Sequence, residues 1–135
     1  MSKRKVLFLC TSNSCRSQMA EAIVNTRMGD RWEAVSAGTH PSGHIHPKAL
    51  AALEEINITH RGVSKCVDEF RDVNFDLVIT VCNSAAEACP AWLGKGARVH
   101  HGFPDPAEAD NIEVFRKVRY DIEREIIPLL KKFTT

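Results

Sequence analysis

The sequence predicts an α/β domain in three layers, a four-stranded parallel sheet flanked by helices, and three observations predict it. Residues 5–10 (KVLFLC) are an uninterrupted apolar run, the pattern of a strand buried on both faces. Strand-like and helix-like stretches then alternate along the chain, which implies parallel strands joined by right-handed crossovers. The chain closes on a helical stripe through Val114, Val118, Ile122, Ile126, Leu129 and Leu130. Between these landmarks, residues 16 to about 28 carry a helical stripe through Met19, Ala20, Ile23 and Val24. Residues 32–37 read as a second strand and 38–43 (GTHPSG) as a loop. Pro47 suits the first turn of a helix carrying Leu50, Leu53 and Ile56. Residues 75–82 (FDLVITVC) form the third strand and 97–101 a short fourth. Asp110 is placed to cap the last helix, and Pro128 falls where it would kink or tighten the final turns.

A chain of 135 residues is enough for one core, so residues 1–135 are expected to form a single domain. Hydrophobic residues at 44% and charged residues at 26% are an ordinary globular balance. A formal net charge of +1, with no basic stripe or acidic tail, gives no footprint for nucleic acid or a membrane surface. No apolar run approaches the roughly 18–20 residues of a membrane span. The basic start, Met1 to Lys5, leads into an apolar run too short for a signal peptide, which points to a cytoplasmic protein. The five cysteines, Cys10, Cys15, Cys66, Cys82 and Cys89, do not have the spacing of a disulfide framework. In a reducing compartment they are thiols at rest.

Cys10 ends the first strand and Cys82 the third. Ligands of open α/β sheets bind beyond the carboxyl ends of the strands, where strand order reverses. Neighbouring first and third strands would bring both sulfurs to one rim, with Asp105 just past the fourth strand joining them. Around Cys10 the sequence runs Cys10-Thr11-Ser12-Asn13-Ser14-Cys15-Arg16-Ser17, a strand end, a loop of small polar residues and a helix start. Five residues between Cys10 and Arg16 let the backbone N–H groups of Thr11, Ser12, Asn13, Ser14 and Cys15 converge on one point. The helix adds its positive end, a combination suited to a tetrahedral anion. That field favours a thiolate at Cys10, the nucleophilic form. Arg16 brings a planar fork for two anion oxygens, and Ser17 can donate to the sulfur.

This loop resembles that of the low-molecular-weight protein tyrosine phosphatases and the arsenate reductases related to them. The likeness continues through Gln18-Met19-Ala20-Glu21 and Ser36-Ala37-Gly38-Thr39 to Asp105-Pro106. It implies Cys10 as nucleophile, Arg16 as anion clamp and Asp105 as general acid, since an oxide leaving group departs poorly unless protonated. Ser12 stands where the family often has glycine. Asn13, Glu21 and Ser36 match positions that fix the loop in this family, sometimes around a monovalent cation. Lys65 takes the place of an acidic residue there, so its ammonium is expected to replace the cation and no metal is expected.

Cys82 and Cys89 separate the activities within the family. A phosphatase needs one thiolate, a cradle and an acid, whereas reducing arsenate to arsenite takes two electrons, which a dithiol supplies on becoming a disulfide. The segment 82–90 (CNSAAEACP) resembles the redox segment of the thioredoxin-coupled arsenate reductases. The implied relay has Cys10 attack arsenic, a transient Cys10–Cys82 disulfide release arsenite, and a Cys82–Cys89 disulfide pass to thioredoxin. No cofactor is tightly bound in such an enzyme, phosphate or sulfate would mimic arsenate, and the implied state is a monomer. The alternative is a phosphatase acting on phosphotyrosine or small phosphate esters, although only Trp92, Phe70 and Phe103 offer aromatic walls. A phosphocysteine carrier or a non-catalytic arsenic-binding module has no use for a clamp paired with an acid. Cys15 is expected to pack under the loop and Cys66 to be structural. A zinc site from His100, His101, Cys82 and Cys89 lacks the usual close ligand spacing.

Overall fold

The computed structural model describes residues 3–82, 96–104, 106, 107, 109 and 111–133. Four parallel strands, β1 (Arg4–Cys10), β2 (Trp32–Gly38), β3 (Leu77–Thr80) and β4 (Ala97–His100), lie in the order β2-β1-β3-β4. The helices are α1 (Arg16–Arg27), α2 (Pro47–Glu54) and α3 (Ile112–Phe133), with a short 3-10 helix at Val67–Phe70. From β1 the chain goes to β2 on one side and then to β3 on the other, so strand order reverses at the carboxyl end of β1. Cys10 sits at that point.

Strand β1 is buried along Val6 to Cys10, and its alternate side chains feed two cores. Val6, Phe8 and Cys10 join Leu77 and Ile79 in the larger one, against buried faces of α1, α2 and α3. Leu7, Leu9 and Val78 meet Val67, Phe75, Phe70 and Val73 on the opposite face. The 3-10 helix therefore helps to cover a sheet face, a role its four residues did not advertise.

Differences from the sequence reading are confined mostly to element ends. The third strand is Leu77–Thr80, although Asp76 N–H still donates to Lys5 and Val81 N–H to Leu9, so the ladder frays at both ends of the expected span. In α2 the inward residues are Ala49, Ala52 and Leu53, while Leu50 is half-buried and Ile56 follows the helix. Asp110 lies outside the described residues, and Asn111 does the capping: its Oδ1 accepts the Glu113 N–H at 2.9 Å. Helix α3 runs through Pro128 to Phe133. The proline removes one i→i−4 hydrogen bond from the helix, and the remaining turns hold through Ile126 and Leu130, both fully buried.

Candidate active site

Strand β1 delivers Cys10 to the sheet rim with 1% of its surface exposed. The Ser17 hydroxyl lies 2.9 Å from Cys10 Sγ, and the Asn13 N–H donates to the same sulfur at 3.2 Å. The chain turns this tightly because Asn13 takes the left-handed conformation, φ 50°, which asparagine tolerates better than most residues. Ser12 keeps an ordinary backbone angle, so serine fits where the family often has glycine. The loop is also tied from outside. Thr11 C=O accepts from His40 N–H, Ser12 C=O from Ser42 N–H and the Ser64 hydroxyl, and Ser14 C=O from His46 N–H. The first turn of α1 carries no acidic residue, leaving its positive end uncompensated for an anion.

Arg16 is 2% exposed, and its Nη1 donates to the Phe103 carbonyl at 3.3 Å. A guanidinium so buried requires acceptors, and this one fixes the side chain to the segment that follows β4. Asp105, two residues beyond Phe103, lies outside the described residues.

Gln18, Glu21 and Ser36, together with Asn13, form a polar layer beneath the loop. Asn13 Oδ1 accepts from Lys65 N–H at 2.8 Å and from Gln18 Nε2 at 2.9 Å, and Asn13 Nδ2 donates to Ser17 Oγ at 2.8 Å. The Ser36 hydroxyl donates to Glu21 Oε1 at 2.8 Å, and Lys65 Nζ stands 3.7 Å from that oxygen. Lys65 thus sets a positive charge beside a buried carboxylate in the manner a bound cation would. His60 is the residue sequence reasoning missed: its Nε2 meets Gln18 Oε1 at 2.8 Å and lies 3.7 Å from Glu21 Oε2. Burial first of all lowers the His60 pKa, Lys65 adding to the effect and Glu21 opposing it.

Cys82 is fully buried in the same core cluster as Cys10. β3 ends at Thr80, which pairs with Leu9, so Cys82 does not end the third strand as expected but follows it by two residues. Both sulfurs thus belong to the same buried cluster at the carboxyl ends of β1 and β3. Cys82 is itself disulfide-bonded, whereas Cys10, Cys15 and Cys66 are free. Cys89 lies outside the described residues. Cys15 packs under the loop at 3% exposure, and half-buried Cys66 caps the 3-10 helix. His100 pairs with Thr80 and His101 with Glu125, and no cluster of metal-ligating side chains occurs among the described residues. Phe103 is turned into the core and Phe70 packs edge-on to Phe75 on the far sheet face. Trp92 lies outside the described residues.

Comparison with known proteins agrees with this geometry. An arsenate reductase of Halalkalibacterium halodurans is 42% identical over 132 residues, covering 93% of this chain and 94% of its own. A solved arsenate reductase in the phosphate-binding state superposes with a TM-score of 0.83 at 32% identity, covering 96% of this chain and 98% of that one. Another, in an oxidized state, gives 0.79 at 31% identity over the same shares. The family model for low molecular weight phosphotyrosine protein phosphatase matches residues 5–135, and the chain belongs to that family.

Proposed function

We propose that this protein reduces arsenate to arsenite, and that it does so by a relay of Cys10, Cys82 and Cys89 that thioredoxin resets. The observation that carries the reading is the second sulfur. Cys82, two residues past the end of β3, is buried in the same cluster as Cys10, where hydrolysis of a phosphate ester would have no use for it.

Cys10 thiolate attacks arsenic and the hydroxyl of hydrogen arsenate leaves as water, with Arg16 holding two of the remaining oxygens and Asp105 supplying the one proton. Cys82 thiolate then attacks Cys10 Sγ. The arsenic–sulfur bonding pair stays on arsenic, which leaves as arsenite, and the two sulfurs are oxidised to a disulfide. Cys89 attacks Cys82, freeing Cys10 for the next anion. An external dithiol takes over the Cys82–Cys89 disulfide. The named relatives and the solved reductases in phosphate-binding and oxidized states support the same chemistry.

Among the described residues nothing favours a tyrosine phosphatase reading: Phe103 and Phe70 are both committed to cores instead of walling the cleft. The test is NADPH consumption with arsenate, run in parallel with a thioredoxin system and a glutaredoxin–glutathione system. Turnover is expected with thioredoxin. Cys82→Ser is expected to lower multiple-turnover arsenate reduction at least a hundredfold and leave aryl phosphate hydrolysis within about threefold, since only reduction uses the second thiol. Arsenate turnover near the wild-type rate in that variant would exclude the relay.

A further inference from the structure

We infer that Gly102 is a positioning residue for Cys82, the place where a missing side chain lets the chain after β3 turn the second sulfur into the core that holds Cys10. The role rests on the relay proposed above.

The pairing of β3 with β4 slips by one residue at Gly102. Ala97 N–H meets Asp76 C=O at 3.4 Å and His101 N–H meets Thr80 C=O at 2.9 Å, in step with the register that runs from Leu77↔Ala97 to Thr80↔His100. The bonds of a parallel ladder are evenly spaced, so the next one in step would join Phe103 N–H to Cys82 C=O. Phe103 N–H donates to Val81 C=O instead, at 3.1 Å. Residues 101–103 thus advance two positions while residues 80–81 advance one, the count of a β-bulge with Gly102 as its extra residue. Side-chain alternation breaks at the same level. Leu77, Ile79 and Val81 face the larger core, so regular alternation would send Cys82 to the opposite face with Val78. Cys82 joins Val81 and Cys10 in the larger core.

This turn needs a residue without a side chain at position 102. A Cβ there would stand 2.8 Å from the Cys82 carbonyl oxygen, closer than Cβ atoms approach, and 3.2 Å from His100 Nε2. The Gly102 backbone lies outside the left-handed range, so space and not conformation obstructs an alanine. Phe103 cannot yield to it. Its N–H is held by Val81, its C=O accepts from Arg16 Nη1 at 3.3 Å, and its side chain is buried in the core. The His100 ring, bonded to Thr80 Oγ1 at 2.7 Å, is a side chain that can swing aside. The displacement therefore falls on Cys82, whose strand has already ended at Thr80. Cys10 and the anion loop lie outside this contact.

Gly102→Ala tests the role. Phosphate affinity and aryl phosphate hydrolysis read the anion loop and Cys10, while multiple-turnover arsenate reduction with thioredoxin reads the whole relay. Misplacing a reacting group by about 1 Å can cost about a hundredfold. Gly102→Ala is expected to lower arsenate turnover about ten- to hundredfold, with phosphate affinity and hydrolysis within about threefold of wild type. The same loss is expected between His100→Ala and His100→Ala/Gly102→Ala, where no ring stands in the way. Melting curves confirm that the variants fold. An equal loss of hydrolysis and reduction would overturn the inference by making Gly102 a support of the whole rim. So would equal turnover in His100→Ala and the double variant, which would make the ring the cause. Cys82→Ser, run alongside, separates the inference from the relay: turnover kept in that variant defeats both, whereas turnover lost there and kept in Gly102→Ala defeats the inference alone.

Discussion

Gly38 closes β2 where the anion loop passes over it. A Cβ at this position would stand 2.4 Å from Thr11 O and 3.0 Å from both Asn13 N and Cys10 O, all of them backbone atoms. Backbone cannot swing aside as a side chain can, so Gly38→Ala must push the loop off the strand. The expected result is a loss of about 1–3 kcal/mol of stability, the usual range for overpacking, with at least a tenfold loss of arsenate turnover. Thermal melting and phosphate affinity check the two parts separately, and wild-type phosphate affinity would show that the loop tolerates the methyl. At this scale the site was legible where chemistry and chain position coincide. Cys10, Arg16 and Ser17 fall within eight residues of one strand–loop–helix, and their roles follow from that order. Asn13, Glu21 and Ser36 were legible through the family wording. His60 was not, because its partner Gln18 is 42 residues away and a lone histidine in a loop carries no periodicity. Gly62 gave no signal either, since what it makes room for is the His60 ring, 2.3 Å from where a Cβ would stand.

Among the elements, α2 and α3 are joined at the end of α2 by a charge cluster. Arg116 and Arg119 both donate to the Glu55 carboxylate, with bonds of 2.6 to 3.0 Å, and Arg116 also pairs with Glu113. These donors, Arg116 foremost, lower the Glu55 pKa from 4.5 to about 2. A carboxyl whose folded pKa is depressed stabilises the fold above its unfolded pKa and loses that contribution as pH falls through the folded value. The cluster is therefore fully effective above about pH 4.5 and spent near pH 2. Glu55→Gln is expected to lower the melting temperature by roughly 1–3 °C at pH 7, a solvent-facing pair being worth little. The difference should shrink steadily between pH 4.5 and 2; a gap that stays constant across that window would show that the carboxylate's charge is not what ties α2 to α3. Periodicity alone found β1, α1, β2 and α3, because each carries a long signal. It could not find the 3-10 helix at Val67–Phe70, whose four residues are too few for any period. It also chose Asp110 over Asn111 as the cap, two adjacent residues of nearly equal capping strength. On α1 the apolar stripe understated burial: Gln18 and Glu21 are inside as well, held there by partners in the polar layer and not by hydrophobicity.

For the molecule as a whole, the geometry that makes Cys10 and Cys82 good partners also hides them. Cys10 is 1% exposed and Cys82 fully buried, so an external dithiol has no path to a disulfide between them. The proposed relay therefore calls for a third sulfur that can carry the oxidation outward, and Cys89, outside the described residues, is its candidate. The sequence 83–88 (NSAAEA) favours a helix, and Pro90 would end it just after Cys89. Seven residues of helix rise about 10 Å, whereas bridged cysteines need Cα atoms within about 7 Å. Reduced protein with a helical segment must therefore unwind it to close the bridge, and unwinding gives up backbone hydrogen bonds. Treating reduced protein with one equivalent of arsenate is expected to leave a Cys82–Cys89 disulfide by peptide mapping. Amides between Asn83 and Cys89 should then exchange with solvent at least tenfold faster than in the reduced form, while the buried strand β1 keeps its protection. Accumulation of a Cys10–Cys82 bridge as the end product would place the reductant's target at the anion loop itself. Equal exchange across 83–89 in the two forms would mean that the bridge closes without unwinding, and that Cys89 reaches the surface by some other motion.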